Sequence, residues 1–423
     1  MTAQPRRLLR SALVYGPNAS GKSNLIRAAA FMRNLVLNSN RKPVETPLME
    51  EPFRLHPETR NAPSVFQMIF IVEGKRYQYG FEVNRQRVLG EWLYEFAGAR
   101  NLILFHREYQ AGQDRYTVQS DAGSAIRDAL LVMPEDWLAL TMLGQQKQVS
   151  AKGISNAYEW FFLKLDIPLT NQNELSATKY FMQEFGHEWL MDFLKAADFL
   201  IDDVIIQDRI DQLPDEMVEA AEKNLVDFYF MMPDIARKKL DFSSKNQIKL
   251  FIDRFFSGIT GTIKMVRSDP VTGEKIPFEA DMESRGTRQM LALAGAWQKI
   301  LMNGQVCFID EIEDGLHPRL ARFLVEMMHD PAINPKNAQL IATTHDTSLL
   351  DHRLLRPDQI WLINKKRDHA SHLYSLADFD IQLKKHETLQ QHYLDGLFGA
   401  VPMVRKRRLA DVMDALATRE QTP

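Results

Sequence analysis

The chain has one cysteine in 423 residues, Cys307, so no internal disulfide framework can form, and a reducing compartment is expected. No apolar run approaches the roughly 20 residues that span a bilayer. The first residues, MTAQPRRLLRSALVYG, show no apolar h-region with a small-residue cleavage site, so no signal peptide is read. A cytoplasmic location without a membrane partner is therefore expected. The net charge of −3 gives no electrostatic indication of nucleic-acid binding. Local basic clusters at Arg6-Arg7-Arg10, Lys365-Lys366-Arg367 and Arg405-Lys406-Arg407-Arg408 read first as solvated charge. Internal repeats, low-complexity blocks and zinc-type Cys/His spacings are absent. No sustained heptad run supports a long coiled-coil arm. What remains is an ordinary globular composition, 45% apolar and 25% charged, long enough for two or three domains.

One stretch has a chemical meaning of its own. VYGPNASGKSNLIRA, residues 14–28, satisfies the phosphate-cradling pattern through Gly16, Gly21, Lys22 and Ser23. Ala12 to Tyr15 is a short apolar run of strand length. Leu25, Ala28, Ala29, Met32, Leu35 and Val36 then recur as one helical face. Strand, glycine-bounded loop and helix place backbone N–H groups and a helix dipole against phosphate. The nucleotide contacts expected here are Gly16, Asn18, Ala19, Ser20, Gly21, Lys22, Ser23 and Asn24, with the Ser23 hydroxyl on Mg²⁺.

Complementary chemistry lies far downstream. Gln305 to Ile309 is an apolar strand ending in Asp310 and Glu311. An Asp there can hold Mg²⁺, and the following Glu can polarise the attacking water. A second strand, Leu340 to Thr344, ends at His345, where an imidazole can donate to a γ-phosphate. Upstream of the acidic strand, Glu283-Ser284-Arg285-Gly286-Thr287 opens a helix capped by Ser284 and closed by Gly304. The separation of Lys22 from Asp310 requires a nucleotide domain split around a long insertion.

As an ordered set, GPNASGKS, ESRGT, VCFIDE, DGLHP (314–318) and TTH (343–345) resemble the ABC-type ATPases. The branch is that of the head domains, which includes RecF, SMC, the SMC-like break-repair ATPases and the OLD-like enzymes. YQYGFEV with EWL (77–83, 91–93) and YLDGLFGAVP (393–402) look like a narrower group. These are the stand-alone AAA family ATPases of bacterial defence operons such as the Rlo and PARIS systems. The resemblance spans most of the chain and is least between about 150 and 260.

It implies an α/β fold: a split P-loop ABC-type head with a mixed sheet, an antiparallel β subdomain and an inserted helical lobe. The corresponding boundaries are residues 1–150, 151–245, 246–380 and a C-terminal helical tail at 381–423. It further implies ATP and Mg²⁺ sandwiched between two heads, in a homodimer or higher homo-oligomer. Ser284 and Gly286 would touch the γ-phosphate of the other protomer, with Asp314 at the seam, while His317 is read as structural. ESRGT departs from the LSGGQ of transporters, so slow hydrolysis is expected. The implied role is sensor and scaffold of an antiphage system that answers a phage-derived trigger. It would control a separately encoded effector such as a nuclease, since no nuclease-type acidic cluster follows Arg367. The alternative is a RecF-like clamp closing on duplex DNA; a small-molecule kinase stands third.

Two expectations concern departures from the family. Only fifteen residues precede Gly16, where ABC heads carry a first strand and an adenine-stacking segment; a start truncated at Met1 is therefore expected. Gln145 and Gln146 are the candidates for the glutamine that senses the metal.

Elsewhere, residues 64–117 read as β-rich, with a Glu73-Gly74 turn and Tyr77, Tyr79, Phe81 and Val83 forming a half-buried face. Phe181, Phe185, Trp189 and Phe193 repeat at helical spacing, as does the Val218 to Leu240 segment; both are read as core-forming helices.

Overall fold

A computed structural model describes residues 7–41, 52–97, 100–146, 151–168, 175, 178–179, 181–182, 186–207, 261–381 and 386–402. Met1, Arg6, Phe185, Val218 to Leu240 and the Arg405 to Arg408 cluster lie outside them, as does most of the expected 381–423 tail.

Strand β1 (Ser11–Tyr15) leads through the glycine loop into α1 (Lys22–Asn38). The buried face of α1 is Ile26, Ala29, Met32, Leu35 and Val36. Leu25 and Ala28, expected on that face, are only half-buried, so the stripe begins at Ile26. Five strands follow: β2 (Ser64–Val72), β3 (Lys75–Val83), β4 (Val88–Ala97), β5 (Arg100–Gln110) and β6 (Arg115–Gln119). They form an antiparallel meander in that order. Glu73 and Gly74 both have positive φ (48° and 76°), which suits a two-residue hairpin to the right-handed strand twist. Alternation separates the faces. Tyr77, Tyr79, Phe81 and Val83 are fully buried, whereas Val65 and Ile69 are about 60% exposed. The buried face packs with Met32, Leu35 and Val36 in one apolar cluster.

Helices α2 (Ser124–Leu131), α3 (Ala139–Gln145) and α4 (Lys152–Glu159) come next, then a π-helical turn at Trp160–Lys164 and the short strand β7 (Leu165–Asp166). After α5 (Glu188–Ala196), strands β8 (Asp203–Gln207), β9 (Thr262–Ser268) and β10 (Lys275–Glu279) make a three-stranded antiparallel sheet. The described part of the expected helical insertion therefore contains strands. Val204, Ile205 and Ile206 are β-branched and pair with β9. The aromatic repeat is also broken: Gly186, at φ 77°, precedes α5, so Phe181 lies upstream of the helix that bears Trp189 and Phe193. Phe193 is buried and lies 5.9 Å from Phe323, a core role. The hairpin between β9 and β10 turns on Asp269, whose Oδ1 accepts from the amides of Val271 and Thr272.

Helix α6 (Arg285–Asn303) starts at the Ser284 cap and ends at Gly304 in the left-handed conformation, φ 58°. Met290, Leu291, Ala294, Trp297, Ile300 and Leu301 are all buried. The order closes with β11 (Val306–Ile309), α7 (Pro318–His329), β12 (Gln339–Thr343), β13 (Ile360–Lys365), β14 (Ser371–Ser375) and α8 (Leu389–Leu394).

The chain divides into two compact units: residues 1–12 with 23–343, and residues 13–22 with 344–423. In the larger unit β7, β11 and β12 are parallel neighbours. In the smaller unit β1 runs parallel to β13, with Leu13 opposite Ile360, and β13 runs antiparallel to β14. The architecture is α/β, combining mixed and antiparallel sheets as the resemblance implies. Among the described residues no helix is long and apolar enough to cross a membrane.

Candidate nucleotide site

In the smaller unit the loop is shaped by what it cannot accommodate. A Cβ at Gly16 would fall 2.4 Å from the Ile363 carbonyl oxygen, and one at Gly21 would fall 2.2 Å from Ser371 Oγ. Gly21 also has φ 107°, a conformation L side chains rarely adopt. Within the loop the Ser20 amide donates to the Pro17 carbonyl at 3.2 Å, and Ala19 takes the left-handed slot at φ 60°. A non-glycine residue there is strained, a feature that clusters at ligand-binding sites. Ser371 Oγ donates to the Ser20 carbonyl at 2.6 Å, fastening the loop from β14.

Lys22 is 6% exposed, and its Nζ donates to the carbonyls of Gly16 at 2.8 Å and Pro17 at 3.2 Å. Its ammonium thus lies across the loop mouth. The Ser20 hydroxyl is buried and, among the described residues, has no hydrogen-bond partner. A cradle closed to Cβ atoms, holding an orphaned hydroxyl and a lysine, fits the triphosphate of a nucleotide. Asn18 is exposed, and His345 is exposed beyond the end of β12. Thr344, beside His345, donates its amide to the Val14 carbonyl at 3.1 Å, which ties that histidine to the stem of the loop.

In the larger unit, Ser23 and Asn24 continue α1. There the acidic pair is organised by Thr343, a residue quoted in TTH but given no role in the sequence reading. Its Oγ1 donates to Asp310 Oδ1 at 2.5 Å and accepts from the Glu311 amide at 2.8 Å. Glu311 itself has φ 51°, again a strained backbone for a non-glycine residue. Among the described residues no group of three or more His, Cys, Asp or Glu is placed to cage a metal.

The signature and seam residues are joined in the same unit. Ser284 Oγ accepts from the Thr287 amide at 3.1 Å as the α6 N-cap. Arg285 Nη2 donates to both carboxylate oxygens of Asp314, at 2.7 and 2.5 Å. A Cβ at Gly286 would come within 2.9 Å of the Gly315 carbonyl oxygen. Exposed ion pairs contribute little to stability, so the Arg285–Asp314 pair serves to position the two loops. Ser284→Ala should destabilise the protein by about 1 kcal/mol, the usual value of a lost N-cap, as read from urea denaturation. His317 Nδ1 accepts from the Arg319 amide as the N-cap of α7.

The glutamine candidates lie at the end of α3. Gln145 accepts from Asn40 at 2.7 Å and donates to the Tyr158 hydroxyl at 3.2 Å; Gln146 is exposed. The start of α3 is held by the fully buried Glu91, which accepts from the amides of Ala139 (2.6 Å) and Leu140 (3.0 Å) and from the Tyr79 hydroxyl (3.0 Å). Burial pushes the Glu91 carboxyl up to about 7, with these donors and Arg107 opposing. A folded-state pKa above the unfolded value means that the native protein binds the extra proton. Stability from Glu91 is therefore full below about pH 4.5 and is lost as pH rises through about 7. Thermal midpoints at pH 5 and pH 8 should show wild type losing more stability with rising pH than Glu91→Gln.

Strand, glycine loop and helix, with an acidic strand end later in the chain, define a P-loop α/β protein of the ATPase class. The chain belongs to the family described as "AAA domain, putative AbiEii toxin, Type IV TA system", whose profile matches residues 11–158 and 192–351. No curated protein matches it. Among solved structures it is similar to the SmcHead bound to the C-winged helix domain of ScpA. That match has 14% identity, 87% of this chain and 90% of that one covered, and a TM-score of 0.30. It is also similar to the recombination mediator RecF-ATPrS of the RecFOR pathway, with 12% identity, 87% and 93% covered, and a TM-score of 0.25.

Proposed function

We propose that the chain is an ATP-binding, slowly hydrolysing ABC-type ATPase that acts as sensor and scaffold in a bacterial antiphage system. The observation that carries the nucleotide reading is the loop itself: Gly16 and Gly21 are closed to any side chain, and Lys22 is buried across the opening. Lys22 and the loop amides would hold phosphate, and Ser23 and Asp310 would hold Mg²⁺, which supplies charge neutralisation on the transferred phosphoryl group. Glu311 is the base for water, and His345 donates to the γ-phosphate. Asn18, Ala19, Ser20 and Asn24 complete the loop contacts.

Ser284 and Gly286 act on the nucleotide of a second copy, with Asp314 at the seam, so ATP favours a homodimer of heads. The family description, a putative AbiEii toxin of a type IV TA system, supports a defence role; a separately encoded effector is our own assignment of the output. Titration of full-length protein with Mg·ATP, alone and with duplex DNA, tests the reading. ATP-dependent dimerisation without DNA supports it. ATP-stimulated, salt-sensitive duplex binding would instead establish the DNA clamp.

A further inference from the structure

The β13–β14 hairpin carries a run of cations that the roles above leave unused. Its tip is Lys366 to His369, closed by the Lys366 amide donating to Ala370 and the His369 amide donating to Lys366. The body of the hairpin is pressed on the phosphate loop: Ile363 blocks a Cβ at Gly16, and Ser371 blocks one at Gly21 and bonds Ser20. Strand alternation then sorts the charges. Lys365 lies two residues beyond Ile363 and pairs directly with Ser371 across the ladder, so its side chain leaves on the face that covers the loop. Lys366, one residue further, lies beyond the end of the strand, in the turn.

Both are exposed. Lys22 bonds Gly16 and Pro17, at the strand end of the loop, whereas Ser371, and Lys365 beside it, flank Ser20 and Gly21 at the helix end. Lys22 and Lys365 are therefore associated with different ends of the loop.

We infer that Lys365 is a further nucleotide-binding residue, its ammonium pairing with one of the α- and β-phosphates that the loop amides cradle. The inference rests on the P-loop reading above. Both phosphates are common to ATP and ADP, so the contact contributes to the binding of either nucleotide. Lys366 has the same charge at nearly the same place in the chain, and it is the control for a diffuse electrostatic field.

Affinities of the full-length protein for Mg·ATP and Mg·ADP are measured by calorimetry for wild type, Lys22→Ala, Lys365→Ala, Lys365→Arg and Lys366→Ala. Lys365→Ala should weaken both nucleotides by about 10-fold, the value of one charge-assisted contact. Lys365→Arg should restore most of the loss, and Lys366→Ala should stay within about 2-fold of wild type on the same scale. Unfolding midpoints should be unchanged, since both side chains are exposed. Unaltered binding by Lys365→Ala, a Lys366→Ala loss as large, or a loss confined to ATP would each overturn the assignment while leaving a Lys22-dependent site intact. Wild type that binds no nucleotide, or Lys22→Ala that binds as well as wild type, removes the P-loop reading and this inference with it.

Discussion

Lys22→Ala is expected to abolish measurable ATP binding, lowering affinity by more than about 100-fold at the two or more charge-assisted contacts an ammonium makes to phosphate. Nearly all of the Lys22 side chain is buried, and its Nζ is held by two loop carbonyls. Truncation also leaves the Gly16 and Pro17 carbonyls without that donor, so circular dichroism and an unfolding curve must accompany the titration. Lys22→Arg provides the second arm. It keeps the charge but demands more room beside the strained Ala19 to Gly21 turn, and should recover only part of the affinity. Affinity equal to wild type in a folded Lys22→Ala protein would refute the phosphate role.

Glu311→Gln should separate binding from turnover. The substitution keeps the side-chain volume and the hydrogen bond that the residue 311 amide donates to the Thr343 hydroxyl. What is lost is the general base, whose contribution is typically about 10²- to 10⁴-fold in rate. ATP affinity should remain within about 2-fold of wild type, since the carboxylate acts on water and not on the bound phosphates. Phosphate release should fall by at least about 100-fold, and the ATP-bound dimer should persist on size exclusion. Undiminished hydrolysis would remove Glu311 from the mechanism. Thr343→Val is an informative companion, because it takes away the hydroxyl that joins Asp310 to the Glu311 amide while conserving shape.

Much of this arrangement was legible in the residues themselves. The Ser284 and Gly304 caps, the Glu73-Gly74 turn, the buried tyrosine face of β3 and the strand before Asp310 are local events. Each is governed by hydrogen bonds or side-chain alternation over a few positions. The roles of Thr343, Arg285, Ser371 and Ile363 were not legible. Their partners are Asp310, Asp314, Ser20 and Gly16, remote in the chain except for Arg285 and Asp314, and nothing in periodicity reports such a pairing. The aromatic repeat beginning at Phe181 misled for the opposite reason. Spacing alone registers no break, whereas Gly186 at positive φ ends the run before Glu188.

Composition and order of motifs were enough to establish that this chain carries a strand–loop–helix phosphate motif and a distant acidic strand, because both depend on contiguous residues. Only tertiary structure decided that β14 grips the loop, that a threonine hydroxyl couples the two acids, and that Lys365 pairs with the serine that fastens the loop. Those outcomes depend on strand register, and register is set when distant segments bury their apolar faces against one another.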